Sequence, residues 1–475
     1  MQKSKPVILL AAMTSAEIRD LEKFLRSPYF NRNELLLRLF LYLKKEHPDM
    51  EGPALDREKI YAKVFQTKPF VETKLRYAFS DLTKLIERFI VIRETDQDLF
   101  SQNQMMLRFF RNRDLEKFFH QTYDESLKQV ENTGVQDSET YYQKFLLEDQ
   151  LYTYSSLKRD KSLDQVLQEV TDNLDYFYIS KKLKYLCEMH TRQNFLNSAY
   201  HTRFILPLLA HLKEEDYSSF PAIYAYHQVL LTLIEEDKEA HFYHLVEWLK
   251  AHKEAFPPEE QRDLFLLAQN YCTKKINQGH RQYLQEHLNI SILLIDNQLI
   301  FENGYLIPAT FKNIVTVGLR LEAFDWTENF IYSFKDKVHP KYRENAFTYN
   351  LAWLHFFKGE YKKTLRLLSN VEYMDVYYVL DSKILLLKAY FELEEVDAFY
   401  SLVDSFYVYL RRNELISAYQ KTICLAFVKY VKRLMRARLG DKKAAKGLLE
   451  ELNTTPQVAS ISWLLKKAEA YQPEA

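Results

Sequence analysis

The sequence predicts an all-α protein: an α-solenoid of antiparallel helix pairs that follows an N-terminal helical domain. An apolar helical pattern recurs every 35 residues, with Asp325-Trp326, Glu360-Tyr361 and Glu395-Val396 at corresponding positions, which is typical of a helix–turn–helix repeat. Glycine makes up only 8 of the 475 residues, so tight β-turns and glycine-rich phosphate loops are disfavoured. No segment shows the clean alternation of apolar and polar residues that is typical of a half-buried strand.

The middle copy of the repeat shows its parts most clearly. Residues 350–357 are predicted to form an apolar first helix, 358–361 the turn, and 362–371 the second helix. Gly359 can adopt the left-handed conformation that ends a helix, whereas Gly318 falls inside a helix by the same register. Each pair leaves an apolar face that only a stacked neighbour can bury, so the copies are expected to pack in series.

This pattern over 313–406 resembles the tetratricopeptide repeat. The residues at the family's signature positions are Leu351, Ala352, Gly359 and Tyr361, with His339-Pro340 closing the preceding copy. The family's small residue early in the second helix is replaced by Thr364 and, in the next copy, by Phe399. The resemblance implies a superhelix whose first helices line a concave groove, and it implies little else about function.

Helix-start signals organise the N-terminal part of the chain. The N-terminal helical domain is predicted over 1–95, with helices at 14–27, 31–47, 56–65 and 71–93. Thr14 with Glu17, and Asn31 with Glu34, match the capping-box pattern, and Asp56 is placed to cap the third helix. The apolar residues expected to face inward from the longest helix are Leu75, Phe79, Leu82, Ile86 and Phe89.

The remaining chain is divided into irregular helical hairpins, 96–300, and tetratricopeptide-like repeats with basic capping helices, 301–475. The helices predicted in the hairpin part are 104–132, 138–158, 162–179, 181–197, 203–213, 220–236, 238–254, 258–277 and 280–294. Asn132-Thr133-Gly134 and Phe256-Pro257-Pro258 are the strongest breaks, and 296–308 is a junction. Helices are predicted after the repeats at 417–439, 442–452 and 460–470.

Short segments along nearly the whole chain resemble an uncharacterised family of helical proteins of similar length that is typical of Bacteroidota. These segments are Ser27-Pro28-Tyr29-Phe30-Asn31, Leu75-Arg76, Ser80-Asp81-Leu82, Glu302-Asn303-Gly304-Tyr305, Thr310-Phe311-Lys312-Asn313-Ile314-Val315 and Arg343-Glu344-Asn345-Ala346. The resemblance implies no known activity.

The first helix of each pair lines the groove in the tetratricopeptide family. By register the groove residues are Phe311, Ile314, Val315 and Gly318, then Tyr349, Asn350, Trp353 and Phe356, then Ile384, Leu385 and Lys388. The residues predicted to bind a protein or peptide partner are Tyr349, Asn350, Trp353, Phe356 and Lys388. Asn350 stands where peptide-binding members hold a ligand backbone or carboxylate, but Lys388 alone represents the basic residues of that clamp. The alternative is that the aromatic residues simply pack against neighbouring helices.

A second candidate surface is a stripe of basic residues near the end of the chain. Residues 405–447 contain 11 basic and 2 acidic side chains. Lys429, Lys432, Arg433 and Arg436 fall on one side of a predicted helix, because such spacings return to the same helical face. The stripe is either a docking site for an acidic partner or the solvated face of an amphipathic helix.

An alternative function rests on the N-terminal domain. Residues 57–65 and 75–85, separated by a loop, resemble the helix–turn–helix half of a winged-helix domain. The cations that this resemblance implies as phosphate contacts are Lys74, Arg76, Lys84 and Arg88. Residues 1–93 hold 18 basic and 12 acidic side chains, but these charges also suit the solvated side of an amphipathic helix. A two-stranded wing after residue 90 would favour a DNA-binding regulator.

Catalytic and metal-binding signatures are lacking in the sequence. His241 and His244 lie three residues apart beside Asp237 and Glu239, which could seed a metal site, but a third ligand would have to come from elsewhere. Glu235-Glu236-Asp237 is interpreted as a solvated helix end. The sequence therefore predicts no catalytic residue, no metal and no cofactor, and an enzyme of unknown type is the third alternative.

The cysteine content and the distribution of apolar residues indicate the cellular compartment. Cys187, Cys272 and Cys424 are odd in number and far apart, so they are expected to be reduced and mostly buried thiols. The short apolar run 7–13 is interpreted as an ordinary N-terminal segment rather than a signal peptide, and no run is long enough to span a membrane. Net charge is zero, with 65 basic and 65 acidic side chains. The predicted function is a cytoplasmic, non-catalytic protein-interaction scaffold.

Overall fold

The structure, a computed structural model, describes residues 1–67, 69–158, 163–196, 200–235, 237–369, 376–455 and 457–471. The described chain is all-α, as predicted, and its neighbouring helices pack against one another as a helical-repeat solenoid does. Its contacts separate two compact units: Met1–Gly134 with Ser138–Phe177, and Val135–Asp137 with Tyr178–Ala475. The division into 1–95, 96–300 and 301–475 stays a prediction.

The first unit is built around one long central helix. Its helices are α1 (Lys5–Ala12), α2 (Ser15–Arg26), α3 (Glu34–Lys44), α4 (Arg57–Phe65), α5 (Glu72–Gln97), α6 (Leu99–Asn112), α7 (Glu116–Asn132), α8 (Ser138–Lys158) and the first part of α9 (Leu163–Leu196). Helices α1 to α4 all pack on α5, and the five apolar residues predicted to face inward from α5 are all buried. Each such burial contributes about 1.5–3 kcal/mol, so this face holds the first four helices together.

Side-chain caps set the starts of several helices in this unit. The capping box of Thr14 and Glu17 is confirmed, with the Glu17 carboxylate accepting from the Thr14 amide at 2.6 Å. Asp56 caps α4, as predicted. The capping box predicted at Asn31 is wrong, because Asn33 caps α3 and accepts from the backbone amide two residues on at 3.0 Å. Asn31 instead shapes the preceding turn by accepting from the Asn33 amide at 2.9 Å.

Two helix boundaries in the middle of the chain differ from the prediction. The predicted helix 104–132 is divided into α6 and α7, because Asp114 adopts a left-handed backbone conformation with φ +55°. The predicted helices 162–179 and 181–197 form the single helix α9, since no glycine or proline interrupts the chain there. A turn formed without glycine, and a helix that continues where a break is expected, are both difficult to recognise from sequence.

The second unit contains the rest of the helices and one short hairpin. Before the repeats it contains α10 (Ile205–Glu214), α11 (Pro221–Ile234), α12 (Ala240–Ala251), α13 (Pro258–Asn277), α14 (Tyr283–Asp296), β1 (Phe301–Glu302) and β2 (Tyr305–Leu306). The repeats and the C-terminal helices are α15 (Pro308–Arg320), α16 (Phe324–Phe334), α17 (Arg343–Phe357), α18 (Tyr361–Leu368), α19 (Val376–Leu393), α20 (Val396–Arg412), α21 (Ala418–Arg438), α22 (Lys442–Ala445), α23 (Leu448–Thr454) and α24 (Ile461–Glu469). The predicted helix 442–452 is thus two short helices, divided before Gly447, where φ is +68°.

The hairpin lies inside the predicted junction 296–308. Its strands pair antiparallel, with Phe301 opposite Leu306, and Asn303 and Gly304 turn the chain with φ +49° and φ +78°. Asn-Gly is the strongest short signal for a two-residue β-turn. The flanking strands are only two residues long, too short to produce an alternating pattern that would predict the pair from sequence.

Helices α15 to α21 form the repeat region. Each helix packs against the next, and the first helices of the pairs, α15, α17, α19 and α21, also contact each other in series. The second helices, α16, α18 and α20, therefore lie on the outer side of this series. The predicted end of the second helix at Val371 lies outside the described residues.

The three repeat turns share one backbone conformation. Gly359 is left-handed with φ +77°, as predicted, and Glu322 and Glu394 adopt the same conformation with φ +58°. In each turn the following amide bonds to a carbonyl in the last turn of the first helix, as Glu360 does to His355 at 2.8 Å. In the first copy this places the start of α16 at Phe324, two residues before the Trp326 register that the sequence pattern predicts.

Substitution of Gly359 by valine is expected to destabilise the second unit by about 1 kcal/mol or more, because a β-branched residue resists the left-handed conformation. A Cβ atom at this position would meet nothing within 4 Å, so the cost is a backbone cost without a clash. Urea denaturation measures it. The matched reverse change, Glu322→Gly, is expected to stabilise by a few tenths to about 1 kcal/mol. An unchanged midpoint for Gly359→Val would contradict the assigned turn.

Candidate protein-interaction site

The predicted groove residues lie close to the last helix of the chain. Helix α24 packs against α21 and α23 and buries Leu464 and Ala468 in the hydrophobic core of the C-terminal helices. Its Trp463 reaches further, to Phe391 on α19, with ring centroids 5.3 Å apart, and joins the hydrophobic cluster around Phe356 on α17. We call the surface of α17 and α19 that meets α24 the inner face.

A lysine and three aromatic rings form the centre of the inner face. The amine of Lys388 lies 5.3 Å from the ring centroid of Trp353, 5.7 Å from that of Phe356 and 5.6 Å from that of Trp463. We call the two rings that α17 contributes, those of Trp353 and Phe356, the aromatic box, against which Trp463 of α24 packs. Lys388 is only 5 % exposed, and no carboxylate pairs with its amine among the described residues. The attraction between the ammonium and the rings, together with the negative charges of Asp381 and Glu392, offsets part of its lost hydration.

Burial changes the acidity of this amine. Desolvation lowers the pKa of Lys388 to about 7, although the negative charges of Asp381 and Glu392 act in the opposite direction. Near neutral pH the amine is therefore divided between its charged and neutral forms. Removing an ammonium from water costs several kcal/mol unless it is paired. The free energy of burying the Lys388 charge therefore depends on which groups pack over it.

One carboxylate anchors α24 to the inner face. The Trp463 indole donates to Glu392 Oε1 at 3.1 Å, and Lys467 Nζ lies 2.7 Å from Oε1 and 2.8 Å from Oε2 of the same carboxylate. The Glu392 side chain is only 10 % exposed and that of Lys467 is 28 % exposed. This pair is screened less than a surface ion pair, and a charge-assisted bond is stronger than a neutral one.

The other predicted groove residues lie in the interior. Tyr349 is buried against the Tyr378 ring at 4.7 Å, and burial raises the pKa of its hydroxyl. Asn350 is also buried: its amide donates to the Ala346 carbonyl at 2.8 Å, while Oδ1 has no partner among the described residues. The remaining register positions are also buried: Phe311, Ile314, Val315, Gly318, Ile384 and Leu385. Of the five predicted binding residues, Trp353 alone keeps partial exposure.

The basic stripe is largely paired within the chain. Lys429 lies 2.6 Å from Glu451, Arg433 contacts the same carboxylate, and Arg436 lies 2.5 Å from Asp441. Lys429 and Arg433 lower the pKa of Glu451 to about 2. The fourth cation, Lys432, lies 5.9 Å from the Tyr400 ring. The stripe therefore holds α22 and α23 against α21, and its docking of an acidic partner stays a prediction.

The N-terminal cations are exposed, as a phosphate contact requires, but no wing follows them. Helix α5 continues to Gln97 and α6 begins at Leu99, so the described residues directly after 90 are helical rather than paired strands. The cations in question are Lys74, Arg76, Lys84 and Arg88, all exposed. Lys84 pairs with Asp81 at 2.9 Å, and Arg88 lies over the Phe30 ring at 5.1 Å. DNA binding by this helix stays a prediction.

The remaining candidates for chemistry are occupied or dispersed. His241 contacts Glu235 at 3.0 Å, and His244 is exposed; Glu236 lies outside the described residues. Within the described ranges no group of three His, Cys, Asp or Glu side chains is placed to hold a metal. The three cysteines are buried free thiols, as predicted, and burial raises their pKa values, which disfavours the nucleophilic thiolate. None of the helices described is both long and apolar enough to cross a bilayer.

The repeat register brings Trp353, Phe356 and Lys388 together, but it does not indicate Glu392 or its contacts with α24. The sequence does contain a weak signal for the α24 contacts. Trp463-Leu464 and Lys467-Ala468 are spaced four residues apart, which places both pairs on one side of a helix. Nothing local in the sequence indicates which surface they meet. Comparisons with protein-family models, with curated proteins and with solved structures gave no match.

Proposed function

We propose that this protein is a non-catalytic scaffold that binds a segment of a protein partner at the inner face of α17 and α19. The observation that carries this proposal is the contact with α24. An indole ring packs in the aromatic box while the same helix bonds to Glu392. A surface that combines an aromatic pocket with one buried carboxylate suits the recognition of a helix, in which a few anchoring side chains supply most of the binding energy.

The accessible part of this surface supports the same function. Trp353 remains partly exposed beside Phe357, which is 38 % exposed, and their ring centroids are 6.1 Å apart. Aromatic residues are enriched in the surfaces where proteins bind one another. The three free cysteines are compatible with a reducing compartment, and we include a cytoplasmic location in the proposal.

Replacement of Trp353 by alanine is expected to reduce partner capture at least about ten-fold, because a central aromatic anchor commonly contributes 2 kcal/mol or more. The measurement is affinity purification of the full-length protein from cells of the native organism, with quantitative identification of the bound proteins. The matched control is Tyr332→Ala, which removes a 55 % exposed ring from the outer helix α16.

Thermal melting of both variants accompanies this experiment, because Trp353 also contacts Tyr349 and Phe356. Partners that depend on Trp353 and not on Tyr332, in a variant that remains folded at the capture temperature, support the inner face as the binding surface. Equal capture by the wild type and a folded Trp353→Ala variant would show that partners bind elsewhere.

A further inference from the structure

Helix α24 contacts the inner face as a ligand would. It is nine residues long, too short to be stable alone in water, so its helical form depends on the surface that it covers. Its contacts come from two adjacent pairs of residues one helical turn apart. Leu464 and Ala468 fill the apolar core, and Trp463 and Lys467 both engage Glu392, 71 and 75 residues away in the chain.

Docking of α24 also has an energetic cost, the desolvation of a nearby lysine. When α24 is in place, Trp463 helps to bury the amine of Lys388, which pairs with no carboxylate among the described residues. The negative charges of Asp381 and Glu392 act on this amine, but the two oxygens of Glu392 already accept from Trp463 and Lys467. The docked helix therefore gains a partly buried ion pair and an indole anchor while it opposes the hydration of a second cation.

We propose that α24 is a displaceable intramolecular ligand, and that the protein partner displaces it with an amphipathic helix of the same chemistry. Such a helix carries a tryptophan followed by a leucine, and four residues later a lysine followed by a small residue. The charge of Glu392 selects the cation, the aromatic box selects the indole, and the core beneath Leu464 selects the leucine. This inference rests on the proposed function, because it names the partner class of the same surface.

The tether gives α24 an advantage over any free helix. A short connection raises the local concentration of a tethered ligand to roughly millimolar, so an equivalent free peptide competes poorly with α24 in the wild-type protein. Weakening the intramolecular contact without altering the inner face is expected to open the surface. Lys467→Glu does this, because the substitution places a second carboxylate beside Glu392, and like charges repel.

The test uses full-length protein and a fluorescently labelled peptide with the sequence of residues 457–471. We expect fluorescence anisotropy to show about ten-fold tighter peptide binding to Lys467→Glu than to the wild type. The matched control is Lys466→Glu, which makes the same charge change at the exposed neighbouring residue and is expected to bind like the wild type. The double variant Glu392→Lys/Lys467→Glu restores opposite charges and is expected to return to weak binding.

A second variant, Glu392→Lys, and two altered peptides allow the test to be made even if Lys467→Glu destabilises the protein. Glu392→Lys also opens the contact, and it is expected to bind a peptide carrying Lys467→Glu in preference to the unaltered peptide. A peptide carrying Trp463→Ala is expected to bind none of the variants. Circular dichroism confirms that each variant remains helical before its binding is measured.

Failure of this inference differs from failure of the proposed function. If folded Lys467→Glu and Glu392→Lys bind neither peptide, or if Lys466→Glu binds as Lys467→Glu does, α24 is a fixed part of the fold and the inference is overturned. Trp353-dependent partner capture would still stand in that case. If the wild type instead forms a dimer that Lys467→Glu abolishes in size-exclusion chromatography, the occupant is α24 of a second copy, and the assignment to another protein is overturned.

Discussion

Gly318→Val is expected to lower the free energy of unfolding of the second unit by about 3 kcal/mol, as overpacking of a buried site commonly does. Gly318 lies inside α15, and a Cβ atom there would lie 2.3 Å from Oγ1 of Thr327 on α16. Thr327 is fully buried, and its hydroxyl donates to the Ala323 carbonyl at 2.8 Å, so the side chain cannot simply move away. Valine gains at most a few tenths of a kcal/mol in helix propensity over glycine, and crowding outweighs this gain.

A double-mutant cycle with alanine isolates the clash. Without the Thr327 hydroxyl, the contacts of a Cβ at Gly318 are ordinary ones at 3.5 Å, to Thr327 Cβ and to Trp326. Gly318→Ala is therefore expected to destabilise the wild type by about 1–2 kcal/mol but to be neutral or stabilising in a Thr327→Ala background, where helix propensity favours alanine by about 1 kcal/mol. Urea denaturation of the four proteins measures the coupling, and additive effects would contradict the close packing of α15 on α16.

Lys388→Met is expected to stabilise the protein at neutral pH by about 1–3 kcal/mol, because it replaces a buried ammonium that has no carboxylate partner with an apolar side chain of similar length. Methionine also packs well against aromatic rings, which offsets the lost attraction between the ammonium and the aromatic box. Removal of a charged side chain from a contact with aromatic rings would be expected to lower stability if that contact were net stabilising. An increase in melting temperature therefore discriminates between the two accounts. Lys362→Met, at an exposed position, is the matched control and is expected to have little effect.

The pH dependence of stability gives an independent readout of the same site. Burial lowers the pKa of Lys388 from 10.5 to about 7 in the folded protein. Between these values the unfolded chain binds the proton and the folded chain does not, so stability rises with pH. The contribution is fully present above pH 10.5 and is lost as the pH falls through 7. Between about pH 7.5 and 9.5 the wild type is expected to gain about 2 kcal/mol relative to Lys388→Met.

The effect of Lys388 is the difference in pH-dependent stability between the wild type and Lys388→Met. Burial raises the pKa values of Cys187, Cys272 and Cys424, so these thiols keep protons that the unfolded chain releases, and stability falls as the pH rises through their unfolded values. This effect is the same in the wild type and in Lys388→Met. Chemical denaturation at a series of pH values measures both profiles, and parallel profiles would mean that the Lys388 ammonium remains hydrated.

Local features of the fold followed from the sequence wherever a short segment contained the whole physical cause. The capping box at Thr14, the cap at Asp56 and the left-handed turn at Gly359 each depend on a few consecutive residues. The inward face of α5 was predictable for the same reason, because helical geometry places residues three and four apart on one side. Errors occurred where an ordinary residue adopts a left-handed conformation, as at Asp114 and Glu322.

The candidate site was predictable only in part. A repeat register identifies which helix faces its neighbours, and it correctly placed Trp353, Phe356 and Lys388 together on adjacent first helices. The register does not identify how tightly those helices approach. Tyr349 and Asn350 therefore proved to be interior residues, because Tyr378 and Asp381 from the next repeat pack over this part of α17.

The sequence by itself determined the helical class, the spacing between the second and third repeat turns, the turn at Gly359 and the side chains available for binding, since these depend on composition and on contacts between near neighbours. Only the tertiary structure decided that the last helix covers the inner face. Trp463 and Glu392 are 71 residues apart, and no local pattern relates them. Their contact exists because packing of Leu464 and Ala468 into the C-terminal core brings an indole and a lysine to a buried carboxylate, and that packing is a property of the folded chain.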